Sequence, residues 1–479
     1  MSHFRLARGL TPLRQLLEFV ICLVLTVTLF RTWHLENFVV PSGSMAPTLL
    51  GIHRDVACRD CGFAFPCGSG AVDGFPAAEA RAVCPNCGST ENPLGALPDV
   101  AGARLLVSKQ AFRVRAPRRW EIAVFRRPDV ESKVFVKRIA GLPGESIQIR
   151  DGDVFAQGVI QRKSLAEQRA VAMVVHDSAC VPDSLAASAE RWHGDAARTL
   201  WQRDAGGYFH PAESATAADD QPTGPDVDWL TYRHWRRQPA PPGGVTEASV
   251  EDDCGYNQTR PVEEPAQIAD LMLACRLRAF GRGELWLFAT DGRDQFIAKI
   301  DPHGRRVRLE ANGHEVAAST HAPASARALL SQATQVEFSL FDRQVLLAFD
   351  GELVLAPYEI PASVLPRTPT SRPLGVGSRG LGVELTELRV LRDIHYTHPR
   401  GLASRWALES PYQLGADEYF LLGDNSPLSD DSRFWPSGPA IPARLLVGKP
   451  LVVHLPSQQA DLGWGPFNIP QFSAIRYIR

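Results

Sequence analysis

The chain has 479 residues, a length that predicts several domains, and its content of 44% hydrophobic and 22% charged residues predicts globular cores, not disorder. The formal net charge of −2 argues against nucleic acid as the main partner, because no basic field is available to neutralise phosphates. Nine cysteines are too few for a disulfide scaffold of this length.

The first predicted element is an apolar run over residues 16–30, LLEFVICLVLTVTLF, which is interrupted only by Glu18 and threonines. Three arginines precede it: Arg5, Arg8 and Arg14. Basic residues followed by an apolar run are typical of a membrane anchor whose N-terminus stays in the cytoplasm. The run is short for a bilayer span, which needs roughly 20 residues. We predict a single-pass transmembrane helix here, with the lipid bilayer as its partner.

Two other interpretations of the apolar run stay open. A cleavable signal peptide needs a site with small residues after the run, but Arg31, Trp33 and His34 stand there. A buried helix of a soluble domain is the second alternative. The order of basic and apolar residues favours the anchor, which would place the remaining chain outside the cytoplasm.

Residues 35–57 are predicted to be extended and contain a turn-rich segment, PSGSM, with two hydroxyls, Ser42 and Ser44. Taken alone, such a segment is typical of a simple turn. A serine becomes a nucleophile only when a base lies within hydrogen-bond distance. The histidines are scattered and no G-x-S-x-G motif occurs, so another residue would have to supply the base.

Residues 58–99 form a segment rich in cysteine, glycine and proline. The pairs CRDCG at 58–62 and CPNCG at 84–88 have the pattern of a zinc ribbon, in which four thiolates close a structural site. The predicted ligands are Cys58, Cys61, Cys84 and Cys87. Disulfides are the alternative, since an extracytoplasmic compartment is oxidising.

Short β-like runs follow between residues 104 and 160, and one of them, KVFVKRIAGLPGE, contains Lys137 between apolar neighbours. A lysine can act as a base when burial favours its neutral amine. A surface lysine with a buried stem is the alternative interpretation.

Residues 161–279 are predicted to be irregular, whereas residues 281–395 alternate between apolar and polar positions. This alternation, with an Asp-Gly turn signal at 350–351, predicts an antiparallel β-sandwich that looks like the concanavalin/laminin-G type of jelly roll. The aromatic side chains of Trp229, Tyr232 and Trp235 could stack on a sugar. Core packing is the alternative for them, so a glycan or protein ligand of this region is a hypothesis.

Three motifs in this order resemble those of the type I signal peptidases (leader peptidases): PSGSMAPTL at 41–49, FVKRIAGLPGE at 135–145 and GDNSPLSDDSRFW at 423–435. The resemblance covers residues 1–57, about 104–160 and 411–479. It implies a membrane-anchored serine endopeptidase that removes signal peptides from exported preproteins with a Ser/Lys dyad and no catalytic cofactor. The sequence departs from the family pattern at SPL (426–428) and at Pro436, which are loop changes.

Matched position by position, the resemblance implies that Ser44 is the nucleophile and Lys137 the general base. It implies that the Ser42 hydroxyl and the Ser44 backbone N–H form the oxyanion hole, and that Ser429 orients the lysine amine. The implied site-bracing residues are Arg138, Asp424, Asp431 and Arg433. The implied pocket for small substrate side chains consists of Phe38, Val40, Leu49, Phe135 and Val136.

The predicted fold class is mainly β, with a signal-peptidase-type core and two insertions. The predicted organisation is an anchor (1–34), three catalytic segments (35–57, 100–160 and 410–479), a zinc-ribbon-like insertion (58–99) and a β-sandwich insertion (161–409). The predicted location is a bacterial-type inner (plasma) membrane, with the catalytic body extracytoplasmic. A second hypothesis is an anchored binding module, in which the peptidase core serves as scaffold for the sandwich.

Overall fold

A computed structural model describes most of the chain. The described residues are 14–25, 34–69, 80–185, 190–194, 199–204, 206–212, 227–238, 244–257, 265–319, 328–363, 365–396, 405–454, 457–461, 466–470 and 475–478.

Helices are few and short. The first, α1, covers residues 14–25 and is exposed throughout. The others are α2 (Ala111–Val114) and α3 (Leu165–Val171), with α3 opened by a capping box between Ser164 and Glu167. Among these described helices none has the length and apolar character needed to cross a bilayer. Residues 26–33, which belong to the predicted anchor region, lie outside the described residues.

Strands make up the rest of the regular structure, so the prediction of a mainly β fold is confirmed. In chain order they are β1 (Leu35–Val39), β2 (His53–Ala57), β3 (Ala64–Gly68), β4 (Arg81–Ala82), β5 (Asn92–Pro93), β6 (Arg104–Ser108), β7 (Ile122–Arg127), β8 (Val130–Gly141), β9 (Ser146–Arg150), β10 (Asp153–Ala156), β11 (Val159–Ile160), β12 (Met173–Asp177), β13 (Trp192–Gly194), β14 (Gln202–Arg203), β15 (Tyr208–His210), β16 (Asp228–Tyr232), β17 (Trp235–Gln238), β18 (Gly244–Glu247), β19 (Leu271–Phe280), β20 (Glu284–Thr290), β21 (Gln295–Asp301), β22 (Arg306–Ala311), β23 (His314–Ser319), β24 (Thr334–Phe341), β25 (Gln344–Phe349), β26 (Glu352–Leu353), β27 (Tyr358–Glu359), β28 (Leu374–Arg379), β29 (Gly382–Arg392), β30 (Tyr412–Gln413), β31 (Glu418–Leu422), β32 (Ala440–Pro442), β33 (Leu446–Val453), β34 (Ser457–Asp461), β35 (Pro466–Pro470) and β36 (Arg476–Tyr477).

One sheet contains all three of the sequence segments that carry the motifs. Its strand order is β1-β6-β33-β7-β8-β31-β32, with β36 beside β33. Strand β8 is central, paired with β7 on one side and β31 on the other. Alternate residues of β8 enter two different apolar clusters: Val134 and Val136 join one, whereas Phe135 and Ile139 join the other. Lys137 is therefore surrounded by packed strands and is only 3% exposed.

A smaller sheet has the strand order β11-β10-β9-β30. Three of its strands follow β8 in the sequence, and the fourth, β30, comes after the sandwich. Strands β3, β4 and β5 belong to the cysteine-rich segment, where β3 pairs with β2 of the preceding segment and β4 pairs with β5. Two further two-stranded pairs are β17-β18 and β34-β35. Strand β2 begins at His53, a short distance after the PSGSM segment at 41–45, so this turn and the cysteine-rich segment are close along the chain.

Residues 173–392 contain two large antiparallel sheets. One has the order β14-β15-β29-β19-β24-β25-β26, with β12 and β27 attached to β29 and β25, and the other has the order β13-β16-β28-β20-β21-β22-β23. Both contribute fully buried apolar side chains to one shared cluster, for example Leu273 and Phe338 from the first sheet and Leu287 and Val376 from the second. This arrangement is a β-sandwich.

The turn chemistry around β25 differs in part from the prediction. The Asp-Gly signal at 350–351 does form a tight turn, which joins β25 to β26. A second turn, between β24 and β25, uses Asp342 and Arg343, both with positive φ near 50°. Neither residue is glycine, so the usual sequence signal for this turn is missing. Residues 161–279, which we predicted to be irregular, also supply strands to both sheets. The sequence did not show them because most have only two to five residues and because the longest, β19, begins with five consecutive buried residues instead of an alternation.

A buried charge cluster joins the sandwich to the segment that leads into it. The ammonium group of Lys163 donates to Asp342 at 2.6 Å and to Asp393 at 2.7 Å, and all three side chains are almost fully buried. Burial alone would lower the pKa of Lys163, but the two carboxylates raise it above its ordinary value. The lysine is thus held in its charged form between the two acids.

Candidate active site

The structure brings Ser44 and Lys137 together although 93 residues separate them in sequence. Ser44 lies in the turn after β1, and Lys137 lies in the middle of β8, where it pairs with Ala123 of β7. The Lys137 Nζ atom and the Ser44 Oγ atom are 2.5 Å apart. This is the distance at which a neutral amine could accept the serine proton.

The surroundings of Lys137 favour its neutral form. Burial lowers the pKa of Lys137 from 10.5 to about 8, while the carboxylates of Asp431, Asp430 and Asp424 act in the opposite direction and limit the decrease. A base whose pKa lies close to the operating pH combines a useful neutral fraction with enough basicity to take a proton. The amine of Lys137 has this property.

The two other serines of the predicted site occupy different environments. Ser42 is exposed, and its Oγ atom lies 3.4 Å from the Oγ of Ser44. Ser429 is buried, and its Oγ atom has no hydrogen-bond partner within the described part of the chain. The structure therefore places Ser42 beside the nucleophile, whereas the orientation of the lysine amine by Ser429 stays a prediction.

Arg138 and Asp424 form a buried ion pair next to the dyad. The guanidinium donates to both carboxylate oxygens, at 2.8 and 2.6 Å, and a third hydrogen bond of 2.6 Å reaches the carbonyl oxygen of Trp120. Burial would lower the pKa of Arg138, but Asp424 raises it above its usual value. The pair connects β8, which carries Lys137, to the segment that follows β31.

Arg433 and Asp431 form an ion pair within the third motif. Arg433 makes two bonds to the Asp431 carboxylate, at 2.9 and 2.8 Å, and two more to the hydroxyl and the carbonyl oxygen of Ser426. The Gly423 amide also donates to Asp431. Burial would raise the pKa of Asp431, but the charge and hydrogen bonds of Arg433 hold it below its ordinary value. Asp431 thus stays ionised in the vicinity of Lys137.

Asn425 contacts the turn that carries Ser44, residues 41–45, which we call the nucleophile turn. Our sequence analysis did not single out this asparagine. Its side-chain amide donates to the carbonyl oxygen of Gly43 at 2.8 Å, and its backbone N–H donates to the carbonyl oxygen of Ser44 at 3.2 Å. The available signal was the GDN triplet of the third motif, from which we selected only Asp424. Through these two bonds the third motif holds the main chain on both sides of the Gly43–Ser44 peptide.

Four of the five predicted pocket residues share one apolar cluster near Ser44. Val40 and Leu49 are buried in it, and Phe38 and Val136 pack against it partly exposed. The fifth residue, Phe135, lies on the face of β8 opposite to Val136, where it packs near Phe125 in the cluster that also contains Trp435. The reason is the alternation of side chains along a strand, which sends adjacent residues to opposite faces.

The four predicted metal ligands also come together. The Sγ atoms of Cys58, Cys61, Cys84 and Cys87 all lie within 4.8 Å of one another, and two of the separations are 3.6 Å (Cys58 to Cys87) and 3.7 Å (Cys61 to Cys84). Zn–S bonds of about 2.3 Å in a tetrahedron require S–S separations of about 3.8 Å. The donor set and the spacing therefore fit a tetrahedral zinc ion.

The turns around these cysteines match the same interpretation. Gly62 and Gly88 follow the two pairs with φ of 71° and 69°, and their N–H groups bond back to the carbonyl oxygens of Cys58 and Cys84. Glycine adopts a positive φ without steric cost. Each glycine therefore allows a tight turn that brings the two thiols of its pair close together. The side chain of Asn86 lies within 3.6 Å of the Cys61 sulfur and could donate to it.

The predicted ligand-binding aromatics of the insertion are mostly in the core. Tyr232 and Trp235 are buried, in agreement with the alternative of core packing. Trp229 is half-buried and packs edge to face against Trp286 and Phe288. The hypothesis of a glycan or protein ligand thus rests on Trp229 alone among the three, and it stays a prediction.

Among solved structures, the chain is similar to the carbohydrate binding module CBM66 from Bacillus subtilis. The identity is 9% and the TM-score 0.25, with 42% of this chain and 94% of that chain covered. A similarity at this level supports no statement on the function of the insertion.

Comparison with known families agrees with the resemblance seen in the motifs. The family described as "Signal peptidase, peptidase S26" matches residues 95–195, which include Lys137. Probable signal peptidase I-2 of Synechocystis sp. is 40% identical over 60 residues, which are 12% of this chain and 28% of that protein. Signal peptidase I V of Bacillus subtilis is 40% identical over 57 residues, which are 12% of this chain and 33% of that protein.

The chain thus spans no more than about a third of the length of these curated relatives. Over the segment that the matches cover, the resemblance is confirmed, and this segment is related to the signal peptidases of the peptidase S26 family.

Proposed function

We propose that this protein is a membrane-anchored serine endopeptidase that removes signal peptides from exported preproteins, with Ser44 as nucleophile and Lys137 as general base. The observation that carries the proposal is the 2.5 Å contact between Ser44 Oγ and the amine of a lysine whose pKa burial lowers to about 8. A binding module that used the core only as a scaffold would have no need for a buried lysine in contact with a serine.

The proposed reaction begins with the neutral amine of Lys137, which accepts the hydroxyl proton of Ser44. The Oγ atom then forms a bond to the carbonyl carbon of the scissile peptide, and the carbonyl oxygen becomes negative. The backbone N–H of Ser44 and the hydroxyl of Ser42 would stabilise this oxyanion, and one such donor is typically worth a few kcal/mol. Lys137 returns its proton to the leaving amine as the C–N bond breaks, and the signal peptide stays attached to Ser44 as an ester.

The second half of the reaction uses the same two residues. Lys137, neutral again, accepts a proton from a water molecule that attacks the ester carbon. When the new tetrahedral intermediate collapses, the proton returns to Ser44 and the signal peptide leaves with a free carboxylate. Small apolar substrate side chains next to the cleaved bond would pack against the apolar cluster of Val40, Leu49 and Val136, as the resemblance implies.

The proposed location of the reaction rests on the N-terminal sequence. Arg5, Arg8 and Arg14 before the apolar run support an anchor with a cytoplasmic N-terminus, so that the catalytic body would face preproteins as they emerge at the outer surface. The direct experiment is the incubation of the purified full chain, in detergent or in vesicles, with a preprotein. Release of the mature protein by the wild type but not by Ser44→Ala supports the proposal, and equal release by both contradicts it.

The activity should depend on pH through Lys137. The folded pKa is about 8, below the ordinary 10.5, so the active neutral amine is lost as pH falls through 8. We expect kcat to rise about tenfold between pH 6 and pH 7 and to level off above pH 9, as for titration of one group. A pH profile of preprotein cleavage measures this, and a midpoint near 10.5 would show that Lys137 is solvated and is not the base.

We further propose that the four thiols of the cysteine-rich segment bind a structural zinc ion. The support is the near-tetrahedral spacing of the sulfur atoms and the two glycine turns. When bound, the metal would hold β2 and β3 together with the segment around Cys84. The catalytic steps above do not involve it.

Removal of this metal should loosen the segment. We expect about one zinc per chain by elemental analysis, and none for Cys61→Ser, because three thiolates no longer close the site. Chelation should increase hydrogen exchange in residues 58–68 and 81–88, with no such change in the distant strands β20 and β21. Wild-type protein without zinc, in which mass spectrometry finds oxidised cysteine pairs, would favour the disulfide alternative.

A further inference from the structure

The nucleophile turn is held from outside the peptidase motifs by one short segment of the β-sandwich insertion. This segment is Cys254–Asn257, which includes a 3-10 turn over Gly255–Asn257. It lies between β18 and β19 in sequence and is far from all three motifs along the chain. Two of its side chains, Tyr256 and Asn257, contact the turn around Ser44 or the residue that holds it.

Asn257 forms a reciprocal pair with Asn425. The Nδ2 atom of Asn257 donates to Oδ1 of Asn425 at 2.6 Å, and Nδ2 of Asn425 donates to Oδ1 of Asn257 at 2.8 Å. Both side chains are buried, with exposed fractions of 7% and 1%. The second proton of the Asn425 amide is then directed at the carbonyl oxygen of Gly43, at 2.8 Å. Asn257 therefore fixes which way the Asn425 amide faces.

The carbonyl group of Gly43 sets the direction of the Ser44 N–H. The two groups belong to the same planar trans peptide unit, in which C=O and N–H point to opposite sides. The Gly43 oxygen accepts from Asn425 at 2.8 Å and from the backbone N–H of Ala46 at 3.0 Å. With the oxygen held by two donors the peptide plane cannot rotate freely, so the N–H of Ser44 is held in one orientation.

Tyr256 supports the same turn by contact. A Cβ atom added to Gly43 would lie 2.0 Å from the Tyr256 ring, and one added to Gly68 of β3 would lie 2.6 Å from it. The ring thus packs between the nucleophile turn and the cysteine-rich segment, in space that only glycines leave open. Its hydroxyl donates to the carbonyl oxygen of Ile52 at 2.9 Å.

We propose that Asn257, acting through Asn425, and Tyr256, acting through ring contact, are positioning residues that orient the oxyanion-stabilising N–H of Ser44. The insertion is then part of the catalytic apparatus and not an independent attachment. This inference rests on the proposed peptidase function, because it assigns the Ser44 N–H a task in the tetrahedral intermediate.

The test compares Asn257→Ala and Asn257→Asp with a matched control, Gln168→Ala. Gln168 is a fully buried amide of the same insertion, bonded to Lys163 and Ser339, and it makes no hydrogen bond to the nucleophile turn. Asn257→Asp keeps the shape of the side chain but replaces the donor to Asn425 by an acceptor, so it breaks the reciprocal pair without leaving a cavity. Kinetics of preprotein cleavage and hydrogen exchange of residues 40–50 are measured on all four full-length proteins.

We expect both Asn257 variants to lower kcat about 10- to 100-fold, because an N–H group of Ser44 that is no longer held in place stabilises the oxyanion less. For Asn257→Ala, KM and the pH midpoint near 8 should not change, because this variant alters neither the substrate pocket nor the charges around Lys137. Exchange in residues 40–50 should increase in these variants and not in Gln168→Ala. A loss of kcat no larger than that of Gln168→Ala, or unchanged exchange, overturns the inference. If wild-type protein cleaves no preprotein while the exchange difference is present, the proposed function fails and the bracing of the turn is retained as a purely structural role.

Discussion

Replacement of Ser44 or Lys137 by alanine should lower kcat for preprotein cleavage by about 10⁴-fold or more, and the double variant should be no worse than either single one. The losses are not additive, because Lys137 acts only by moving the proton of Ser44 and a base without its nucleophile has no use. Lys137→Arg should be as inactive as the alanine variant, since a guanidinium stays protonated at every useful pH.

The matched control for these variants is Lys133→Ala. Lys133 lies on the same strand, β8, but its side chain is exposed, so its removal should leave kcat unchanged. Single-turnover kinetics at pH 9, where most of the Lys137 amine is neutral, give the largest range for the comparison. Near-normal turnover by Lys137→Ala would show that the 2.5 Å contact has no catalytic role.

The largest effect on stability is expected from Asp424→Ala. This change leaves the Arg138 guanidinium, whose side chain is only 2% exposed, without its carboxylate partner. Removal of one partner of a buried pair costs about 3–5 kcal/mol in the free energy of unfolding, because the remaining charge is buried without compensation. The midpoint of urea unfolding, followed by tryptophan fluorescence, should shift accordingly.

The control for this measurement is an exposed ion pair. Arg405 and Glu409 are 3.0 Å apart, with side-chain exposures of 42% and 69%. Pairs of this kind contribute little, because solvent screens them, so Glu409→Ala should hardly move the midpoint. If Asp424→Ala were no more destabilising than Glu409→Ala, the Arg138–Asp424 pair would not be the structural support that its burial indicates.

The sequence was informative where chemistry depends on short motifs. The three motifs identified Ser44 and Lys137 as a dyad and named Arg138, Asp424, Asp431 and Arg433 as residues that brace it, because each motif carries these residues at fixed spacing. The pairing of the four charges was visible only in the structure. The four-cysteine cluster was predictable because its cysteines also stand at fixed spacing. The strong alternation in β24 and β25 also identified the sandwich.

Other features could not be read from the sequence. Phe135 lies beside one predicted pocket residue, Val136, but adjacent residues of a strand lie on opposite faces, and the two side chains enter different apolar clusters. Asn257 has no motif around it, and its role arises only because the fold of the insertion returns the chain to Asn425. Contacts between segments that are 168 residues apart leave no local pattern.

The central claim is that Ser44 forms the ester with the signal peptide. The most direct measurement is mass spectrometry of the full-length protein, quenched in acid during turnover of a preprotein, because acid protonates Lys137 and so stops the attack of water on any ester that is present. We expect a covalent adduct with the mass of the signal peptide, located on the proteolytic fragment that contains Ser44 and absent from Ser44→Ala. Cleaved preprotein whose signal peptide is attached to a different residue, or cleavage that persists in Ser44→Ala, would contradict the account.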